Sequence, residues 1–401
     1  MLRSKTYTAK AGLICSLLLV YVATLCGQYR VSIIVNQLPA SHQGEPVFIA
    51  GNFNGWHPGK AGFQLQPVNE VQQLVMDNTP GGQYQFKFTR GSWDKVECAI
   101  AGAGITNRDI TVASDTVLYF TIAGWADNFV VEKKHTASDR VRVMSDSFFM
   151  PQLNRSRRIW IYLPKDYEHS KKRYPVMYMQ DGQNLFDASV AAYGEWGVDE
   201  VLDSLIDAGK PACIVVGIEH GNSSRLNEYN PYLFEWKDTA NSKIFLPEGD
   251  AYLAFLIHTL KPYVDKNYRT QPAKEGTIIA GSSMGGLISC YAAVKHPGVF
   301  GKAGVFSPAF WTARPFIGLA DSLTTKVGTK FFFYMGDKEG ENNVALMRVI
   351  AEKIGTNTAA MIYTLTDKQG EHNEYYWNKW FAEFYNWIMA DGYNVSTTNA
   401  D

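Results

Sequence analysis

The segment GSSMGG at positions 281–286 places two serines among three glycines, directly after the apolar run TIIA. Its first five residues fit the pattern G-x-S-x-G with Ser283 at the centre, whereas Ser282 lies one residue before that apex. In a sharp turn between a strand and a helix, the residues two positions away on each side must be small, as Gly281 and Gly285 are. Because such a turn raises the serine hydroxyl above the sheet, the spacing predicts that Ser283 is a nucleophile. A purely structural turn is the alternative.

A serine hydroxyl needs a neighbouring base to become nucleophilic. In enzymes with this strand–turn–helix arrangement, the acid and then the base follow the serine along the chain. Of the eight histidines, His296 and His372 follow Ser283. His296 ends the helix after the turn and is interpreted as structural. His372, in KQGEHNEYYW, falls in a loop before the last predicted helix and is the predicted base.

The acid that orients the base is expected just beyond the strand KFFFYMG, within the segment GDKEGEN. Glu339 is the predicted acid because it lies one turn beyond the strand end. Asp337 is the alternative and Glu341 a more remote one. The carboxylate that does not orient the base is expected to be solvated or to cap the next helix.

Two backbone N–H groups are expected to stabilise an oxyanion opposite the serine. The turn directs the N–H of Met284 at this position, and the positive end of the following helix adds to the potential there. The second donor is predicted to be the N–H of Gln183, in the glycine turn after the strand of YPVMYMQDGQNLFD. An ordinary turn between a strand and a helix is the alternative for this segment. No metal and no organic cofactor is needed for such chemistry.

The pattern of apolar residues predicts two domains of different classes. Residues 28–133 contain short strand-like runs separated by Gly, Asn, Pro and Asp, which predicts a β-sandwich. Residues 134–140 are polar and are interpreted as a linker. Residues 141–393 alternate strands with helices, which predicts a mostly parallel sheet with helices on both faces. The predicted elements are strands in RRIWIYLP, YPVMYMQDGQ, CIVVGIEHG, GTIIAG, AGVFSP and KFFFYMGD, and helices in VDEVLDSLIDAG, DAYLAFLIHTLKPYVDKNY, GGLISCYAAVKHP and from about Asn373.

Composition narrows the class of protein further. The chain has 401 residues, of which 46% are apolar and 19% charged, which is enough to form two globular cores. A formal net charge of -1 argues against a nucleic-acid-binding surface. Cys98, Cys213 and Cys290 show no CxxC spacing, so neither a disulfide framework nor a zinc site is expected. Cys213 and Cys290 are interpreted as buried hydrophobic residues.

The N-terminus has the features of a secretory signal peptide over residues 1–27. A basic start precedes a short apolar stretch that is too short to span a bilayer comfortably, and a small residue, Gly27, follows. We therefore expect a secreted or periplasmic protein without a membrane span in its mature chain. The alternative is a lipoprotein acylated at Cys26, which Leu25 disfavours.

From about Val141 to Tyr393, the second domain resembles the esterase family of α/β-hydrolases that includes esterase D, enterochelin esterases, feruloyl and acetyl-xylan esterases and the related mycolyltransferases. The resemblance implies carboxylic-ester hydrolysis by Ser283, Glu339 and His372. Where the family usually has HG in its oxyanion loop, this chain has DG, at positions 181–182. By analogy with the family, Trp311 and Tyr229 line the substrate pocket, or else belong to the core. The matching segments are RRIWIYLPKDY, YPVMYMQDGQNLF, GSSMGGLISCYAAVKHPGVFG, FSPAFW and EHNEYYW.

The first domain resembles the immunoglobulin-like modules that bind glycogen and starch, through VFIAGNFNGWHPG, YQFKFTRGSWDKVE and NRDITV. Trp56 corresponds to a sugar-stacking tryptophan of those modules, with a packing role as the alternative. Where a second stacking tryptophan is common, this chain has Cys98. Trp93 is interpreted as structural.

Together these features predict a secreted serine esterase that removes an acetyl or feruloyl group from a carbohydrate. An acyltransferase to a sugar hydroxyl would use the same residues and is an alternative. A siderophore esterase and a non-catalytic glycan-binding protein are the others. The expected partners are an ester substrate, which is carbohydrate-linked in the favoured interpretation, and a glycan on the first domain.

Overall fold

The computed structural model describes residues 27–129, 134–192, 194–237, 242–324 and 328–390, and the backbone of 398–400. The predicted signal peptide, apart from Gly27, lies outside these residues, as does Cys26. Residues 27–129 form one compact unit, and the described residues from 134 onward form another. In the described ranges, no helix is both long and apolar enough to cross a membrane.

The first unit consists of strands and short turns. Strand β1 shows the alternation of a half-buried strand, since Val31, Ile33 and Val35 are at most 1% exposed and their neighbours are more exposed. Three sheets have the orders β3-β4-β1-β8, β2-β5-β7 and β6-β9. The strands are β1 Gln28–Gln37, β2 Phe48–Gly51, β3 Gln66–Val68, β4 Val71–Pro80, β5 Gly82–Thr89, β6 Glu97–Cys98, β7 Arg108–Val112, β8 Thr116–Thr121 and β9 Gly124–Trp125.

The second unit is built on a nine-stranded sheet of order β10-β11-β13-β12-β16-β17-β18-β19-β20. Pairing is antiparallel from β10 to β13 and parallel from β13 to β20. Strands β14 and β15 form a separate hairpin. The strands are β10 Val141–Met150, β11 Arg155–Tyr162, β12 Val176–Gln180, β13 Ile214–Ile218, β14 Phe234–Lys237, β15 Ser242–Phe245, β16 Thr277–Ser282, β17 Lys302–Phe306, β18 Lys330–Gly336, β19 Met361–Asp367 and β20 Thr398–Ala400.

Helices cover both faces of this sheet, as its fully buried strands require. Successive residues of β16 point to opposite faces, so Ile278 packs in the core with α1 and α8, and Ile279 in the core with α3, α4, α5 and α7. The helices are α1 Val198–Asp207, α2 Arg225–Glu228, α3 Gly249–Phe255, α4 Lys261–Asn267, α5 Met284–Lys295, α6 Phe316–Asp321, α7 Glu341–Asn357 and α8 Glu374–Met389.

The structure differs from the sequence-based elements in several places. The segment 134–140 is no free linker, because His135, Thr136 and Ser138 hydrogen-bond to residues 187–199 of the second unit. The helix predicted over 250–268 is interrupted by a π-helical segment, Leu256–Leu260, next to Pro262, which has no N–H to donate. Strands β10 and β19 and helices α6 and α7 were not predicted.

The three cysteines outside the N-terminal region are buried free thiols, as predicted for two of them. Burial raises the pKa of Cys98 and Cys290, and raises that of Cys213 to about 12.

The parallel strands bring distant parts of the chain to one edge of the sheet. Strands β12, β16, β17 and β18 are neighbours, and their carboxyl ends lead directly into Asp181, Ser283, Ser307 and Asp337. In open sheets of this kind, the crevice beyond the carboxyl ends of the strands is where ligands bind.

Candidate active site

Ser283 occupies the junction between strand and helix, because β16 ends at Ser282 and α5 begins at Met284. Its backbone has φ 57° and ψ −121°, a region that residues with a side chain rarely adopt. The strain is held in place by two hydrogen bonds. The N–H of Ser283 donates to the carbonyl of Phe306 at 3.0 Å, and its carbonyl accepts from the N–H of Ala309, also at 3.0 Å.

The two glycines that flank Ser283 are there because the backbone folds tightly on itself. A Cβ on Gly281 would lie 2.8 Å from the carbonyl carbon of Gly285. A Cβ on Gly285 would lie 2.9 Å from the Cβ of Gln180. Real Cβ atoms do not approach other atoms this closely, which is the physical basis of the spacing around Ser283.

His372 and Glu339 are in direct contact, with 2.6 Å between His372 Nδ1 and Glu339 Oε2. The side chain of Glu339 is 4% exposed and that of His372 is 46% exposed. An ionised carboxylate only accepts hydrogen bonds, so Nδ1 carries the proton of a neutral His372 and Nε2 is left as the basic nitrogen. Asp337, the alternative acid, is exposed.

Ser307, which the sequence analysis did not identify, connects this pair to the rest of the site. Its hydroxyl donates to Glu339 Oε1 at 2.6 Å and accepts from the indole N–H of Trp377 at 2.9 Å. The N–H of Gly336 also donates to Glu339 Oε1, at 2.9 Å. Trp377 in turn places its ring edge-on to His372, with 5.2 Å between ring centroids. The available signal for Ser307 was its position directly after a strand, in FSPAFW.

Ser283 and His372 line the same cavity, which has a volume of about 710 Å³. Most of its lining residues have polar side chains, and two are tryptophans. The lining residues in the described chain are Asp181, Asn184, Trp196, His220, Asn222, Arg225, Ser282, Ser283, His372, Asn373, Glu374 and Trp377. The structure therefore brings together the predicted nucleophile and base, from positions 89 residues apart (372 less 283).

Asp181 gives the DG loop its local structure. It has a left-handed backbone with φ 57°. Its carboxylate accepts two hydrogen bonds from Arg225, from Nε at 2.7 Å and from a terminal nitrogen at 2.8 Å. Burial opposes the charge of Arg225, but the paired carboxylate of Asp181 outweighs it and raises the pKa of the guanidinium. The pair thus places a fixed ionic group in the cavity wall.

Glu374 and His220 are further titratable groups of the cavity wall. Burial raises the pKa of Glu374, and the nearby charge of Asp181 adds to this effect. Glu374 Oε1 accepts a hydrogen bond from Asn184 Nδ2 at 3.2 Å. Burial lowers the pKa of His220, which favours its neutral form. Neither residue was predicted, because nothing in the sequence indicates that both approach the loop after β12.

The assignment of the Met284 and Gln183 N–H groups as oxyanion donors stays a prediction. Met284 is the first residue of α5, and the first N–H groups of a helix have no partner within the helix. Gln183 lies in a 3₁₀ turn, Gly182–Asn184, directly after the strand β12 and Asp181. Its side-chain oxygen accepts from the N–H of His220 at 3.3 Å.

Tyr229 and Trp311, the two aromatic residues predicted to contact substrate, do not line the cavity. Tyr229 is fully buried, packs against Tyr252 with 5.2 Å between centroids, and accepts a hydrogen bond from the N–H of Asp181 at 3.4 Å. Assigning Tyr229 to substrate binding was wrong, because the core and the Asp181 loop occupy both its ring and its hydroxyl. Trp311 is 40% exposed and packs edge-on against Phe234 and Trp236 of the hairpin, each at 5.6 Å.

In the first unit, Trp56 has an exposed aromatic neighbour. The rings of Trp56 and Trp93 lie 6.3 Å apart and are inclined by 38°. Trp93, which the sequence analysis interprets as structural, is 42% exposed. Cys98, at the position where a second stacking tryptophan was considered, is buried.

A strained serine between a strand and a helix, at the carboxyl edge of a largely parallel sheet, defines the α/β-hydrolase class. The chain belongs to the family described as "Putative esterase", whose model matches residues 150–388. Membership of this family supports an enzyme that cleaves esters by hydrolysis.

Curated relatives match parts of the chain. "Uncharacterized protein YbbA" of Bacillus subtilis (strain 168) is 27% identical over 259 residues, which is 60% of this chain and 95% of that protein. An endo-1,4-beta-xylanase/feruloyl esterase of Xylanibacter ruminicola is 26% identical over 189 residues, which is 46% of this chain and 23% of that protein. This chain therefore spans less than a quarter of the length of the latter.

Among solved structures, the enterobactin esterase FES from Shigella flexneri, crystallised in the presence of enterobactin, matches with a TM-score of 0.50. The match covers 86% of this chain and 88% of that one at 14% identity. At this identity the likeness shows a shared fold.

Replacing Gly281 by alanine is expected to destabilise the protein by about 1–3 kcal/mol, because the added Cβ meets backbone that has no space to move. Denaturant unfolding followed by tryptophan fluorescence measures this loss. Gly298→Ala is the matched control, since a Cβ there meets nothing within 4 Å. Equal stability of the two variants would show that the turn is not sterically constrained.

Proposed function

We propose that this protein is a secreted serine esterase that removes an acyl group, acetyl or feruloyl, from a carbohydrate. The observation that carries the proposal is the contact between Glu339 and His372, together with the cavity that His372 and Ser283 both line. The feruloyl esterase among the relatives supports an acyl group of this kind. The N-terminal segment 1–27 supports secretion.

In the proposed reaction, the hydroxyl of Ser283 attacks the ester carbonyl while Nε2 of His372 takes its proton. Glu339 keeps the proton of His372 on Nδ1 and stabilises the imidazolium that forms. The protonated histidine then donates its proton to the departing alcohol, and an acyl-serine remains. Water, deprotonated by the same histidine, attacks the acyl-serine and releases the acid and the free serine.

The oxyanion that forms in both steps is assigned to the backbone N–H groups of Met284 and Gln183. Such donors act most strongly when they are fixed before the charge develops. Strain at Ser283 and the short turn after Asp181 support fixed positions for both.

The cavity wall supports a hydroxyl-rich substrate. Asp181, Arg225, His220, Glu374 and Asn222 offer donors and acceptors that could bind sugar hydroxyls. Trp196 and Trp377 add ring surface, which suits either a sugar face or an aromatic acyl group.

Ser283→Ala is expected to reduce kcat for p-nitrophenyl acetate by at least about a thousandfold, because the covalent step is lost. A serine-directed phosphonate should label the wild-type protein on the peptide that contains Ser283, as mass spectrometry would show. Ser282→Ala is the control and should retain the label. Wild-type turnover in Ser283→Ala, with no labelling of the wild type, would refute the serine-esterase mechanism.

Glu339→Gln is expected to lower kcat by roughly a thousandfold or more, because a glutamine neither fixes the tautomer of His372 nor stabilises its cation. Asp337→Asn is expected to change kcat by less than about twofold, since surface substitutions away from a site have small effects. Steady-state kinetics of the two variants compare the carboxylates directly. A larger loss in Asp337→Asn would transfer the role of the acid to Asp337.

The first unit supports a second function, binding of a glycan. Trp56 and Trp93 lie side by side, and the exposure of Trp93 leaves ring surface free for the C–H face of a sugar. Two adjacent rings offer more stacking surface than one, so the pair supports tighter binding than Trp56 alone would.

Replacing either Trp56 or Trp93 by alanine is expected to weaken glycan binding by about fivefold, which corresponds to about 1 kcal/mol of lost stacking. Affinity electrophoresis in gels that contain soluble starch or arabinoxylan measures the retardation. Tyr119→Ala is the control, because Tyr119 is 66% exposed in the same unit and away from the pair in sequence. Equal retardation of all three variants and the wild type would contradict the assignment.

A further inference from the structure

Three carboxylates that the proposed reaction does not use lie together around the start of helix α1. One oxygen from each of Glu195, Asp199 and Glu200 lies within 4.8 Å of the oxygens of the other two. Glu195 belongs to the loop before the helix, and the other two are in its first turn.

Two oxygens of this cluster are buried and have no hydrogen-bond partner in the described part of the chain, namely Asp199 Oδ1 and Glu195 Oε1. Asp199 is fully buried, with 0% of its surface exposed. The second oxygen of each carboxylate has a partner. Asp199 Oδ2 accepts from the N–H of Ser138 at 2.7 Å, and Glu195 Oε2 accepts from the hydroxyl of Thr136 at 2.8 Å. A buried carboxylate oxygen without a partner is costly, so this arrangement calls for a cation.

The helix N-terminus alone does not explain the cluster. Its partial positive charge favours acidic residues in the first turn, which accounts for the choice of Asp199 and Glu200. The helix N-terminus does not explain why Glu195 is there. It also does not explain why Asp199 Oδ1 and Glu195 Oε1 accept no hydrogen bond from an N–H.

We propose that Glu195, Asp199 and Glu200 bind a calcium ion. Calcium is held by oxygen ligands at about 2.3–2.6 Å, so two of its ligands are up to about 5 Å apart, which the cluster satisfies. A donor set of carboxylates alone selects a hard cation rather than zinc, which prefers nitrogen and sulfur. Magnesium requires near-ideal octahedral geometry and gives up its water reluctantly, so an irregular cluster from a loop and a helix favours calcium.

The ion would connect the loop before α1 to the first turn of α1, and through their hydrogen bonds to the segment 134–140. Glu195 and Asp199 already hold Thr136 and Ser138, from the segment 134–140, against the loop before α1. Trp196, next to Glu195, lines the cavity with Ser283. Bound calcium would thus stabilise both the start of the second unit and one wall of the cavity. The proposal does not depend on the ester chemistry.

The test uses the full protein after removal of metals with EDTA and dialysis. Calcium chloride at about a hundredfold excess over Kd is expected to raise Tm by roughly 5–10 °C, and magnesium chloride by less. Terbium, a luminescent substitute for calcium, should emit on excitation of tryptophan, because Trp196 adjoins the cluster. Added calcium should displace this emission.

Two variants and a control locate the ion. Asp199→Asn keeps an oxygen for the N–H of Ser138 but removes the charge, and Glu200→Gln alters an exposed ligand that poses less risk to folding. Both should lose the calcium-dependent rise in Tm and the terbium emission, while Tm without metal stays equal or increases. Asp207→Asn, at the other end of the same helix, should behave as wild type.

Three results would overturn the proposal. One is a metal-free wild-type protein whose Tm does not respond to calcium and which gives no terbium emission. Another is an unchanged calcium response in both Asp199→Asn and Glu200→Gln, which would place the ion elsewhere. The third is magnesium acting as strongly as calcium, which would contradict the identity of the ion.

Discussion

The buried carboxylate of Glu339 is the interaction on which the candidate active site depends. It accepts hydrogen bonds from the imidazole of His372, the hydroxyl of Ser307 and the N–H of Gly336. These donors come from the loop before the last helix, from the end of β17 and from the end of β18. A charge buried this deeply is stable only when such donors surround it. The carboxylate therefore helps to fix the relative positions of three chain segments that are distant from one another in the sequence.

An ion pair between Asp181 and Arg225 forms part of the cavity wall. Asp181 and Arg225 neutralise each other through two parallel hydrogen bonds, a geometry that only a guanidinium offers to a carboxylate. Asp181 also turns the chain with a left-handed backbone directly before the turn that contains Gln183. Asp181 stands where the loop usually has histidine. In this chain it is paired with Arg225, which also lies in the cavity wall. Tyr229 is buried, and its hydroxyl accepts a hydrogen bond from the N–H of Asp181, so it also supports this loop.

Sequence patterns were sufficient to predict the features whose residues are adjacent in the chain. The strand, the glycine spacing and the helix around Ser283 are contiguous, so the turn could be predicted, and the order of residues along the chain selected His372 and Glu339. Residues that depend on long-range packing could not be predicted. Ser307 and Arg225 acquire their partners only when separate strands align. The choice between pocket and core for Tyr229 depends on its contacts with Tyr252 and Asp181.

The contact between His372 and Trp377 has an optical consequence. An imidazolium close to an indole quenches its fluorescence more strongly than a neutral imidazole does, and these two rings are 5.2 Å apart. The indole N–H is held by Ser307, which fixes the orientation of the fluorophore. The contact thus makes the emission of Trp377, one of the ten tryptophans of the chain, sensitive to the state of the neighbouring imidazole without any added dye.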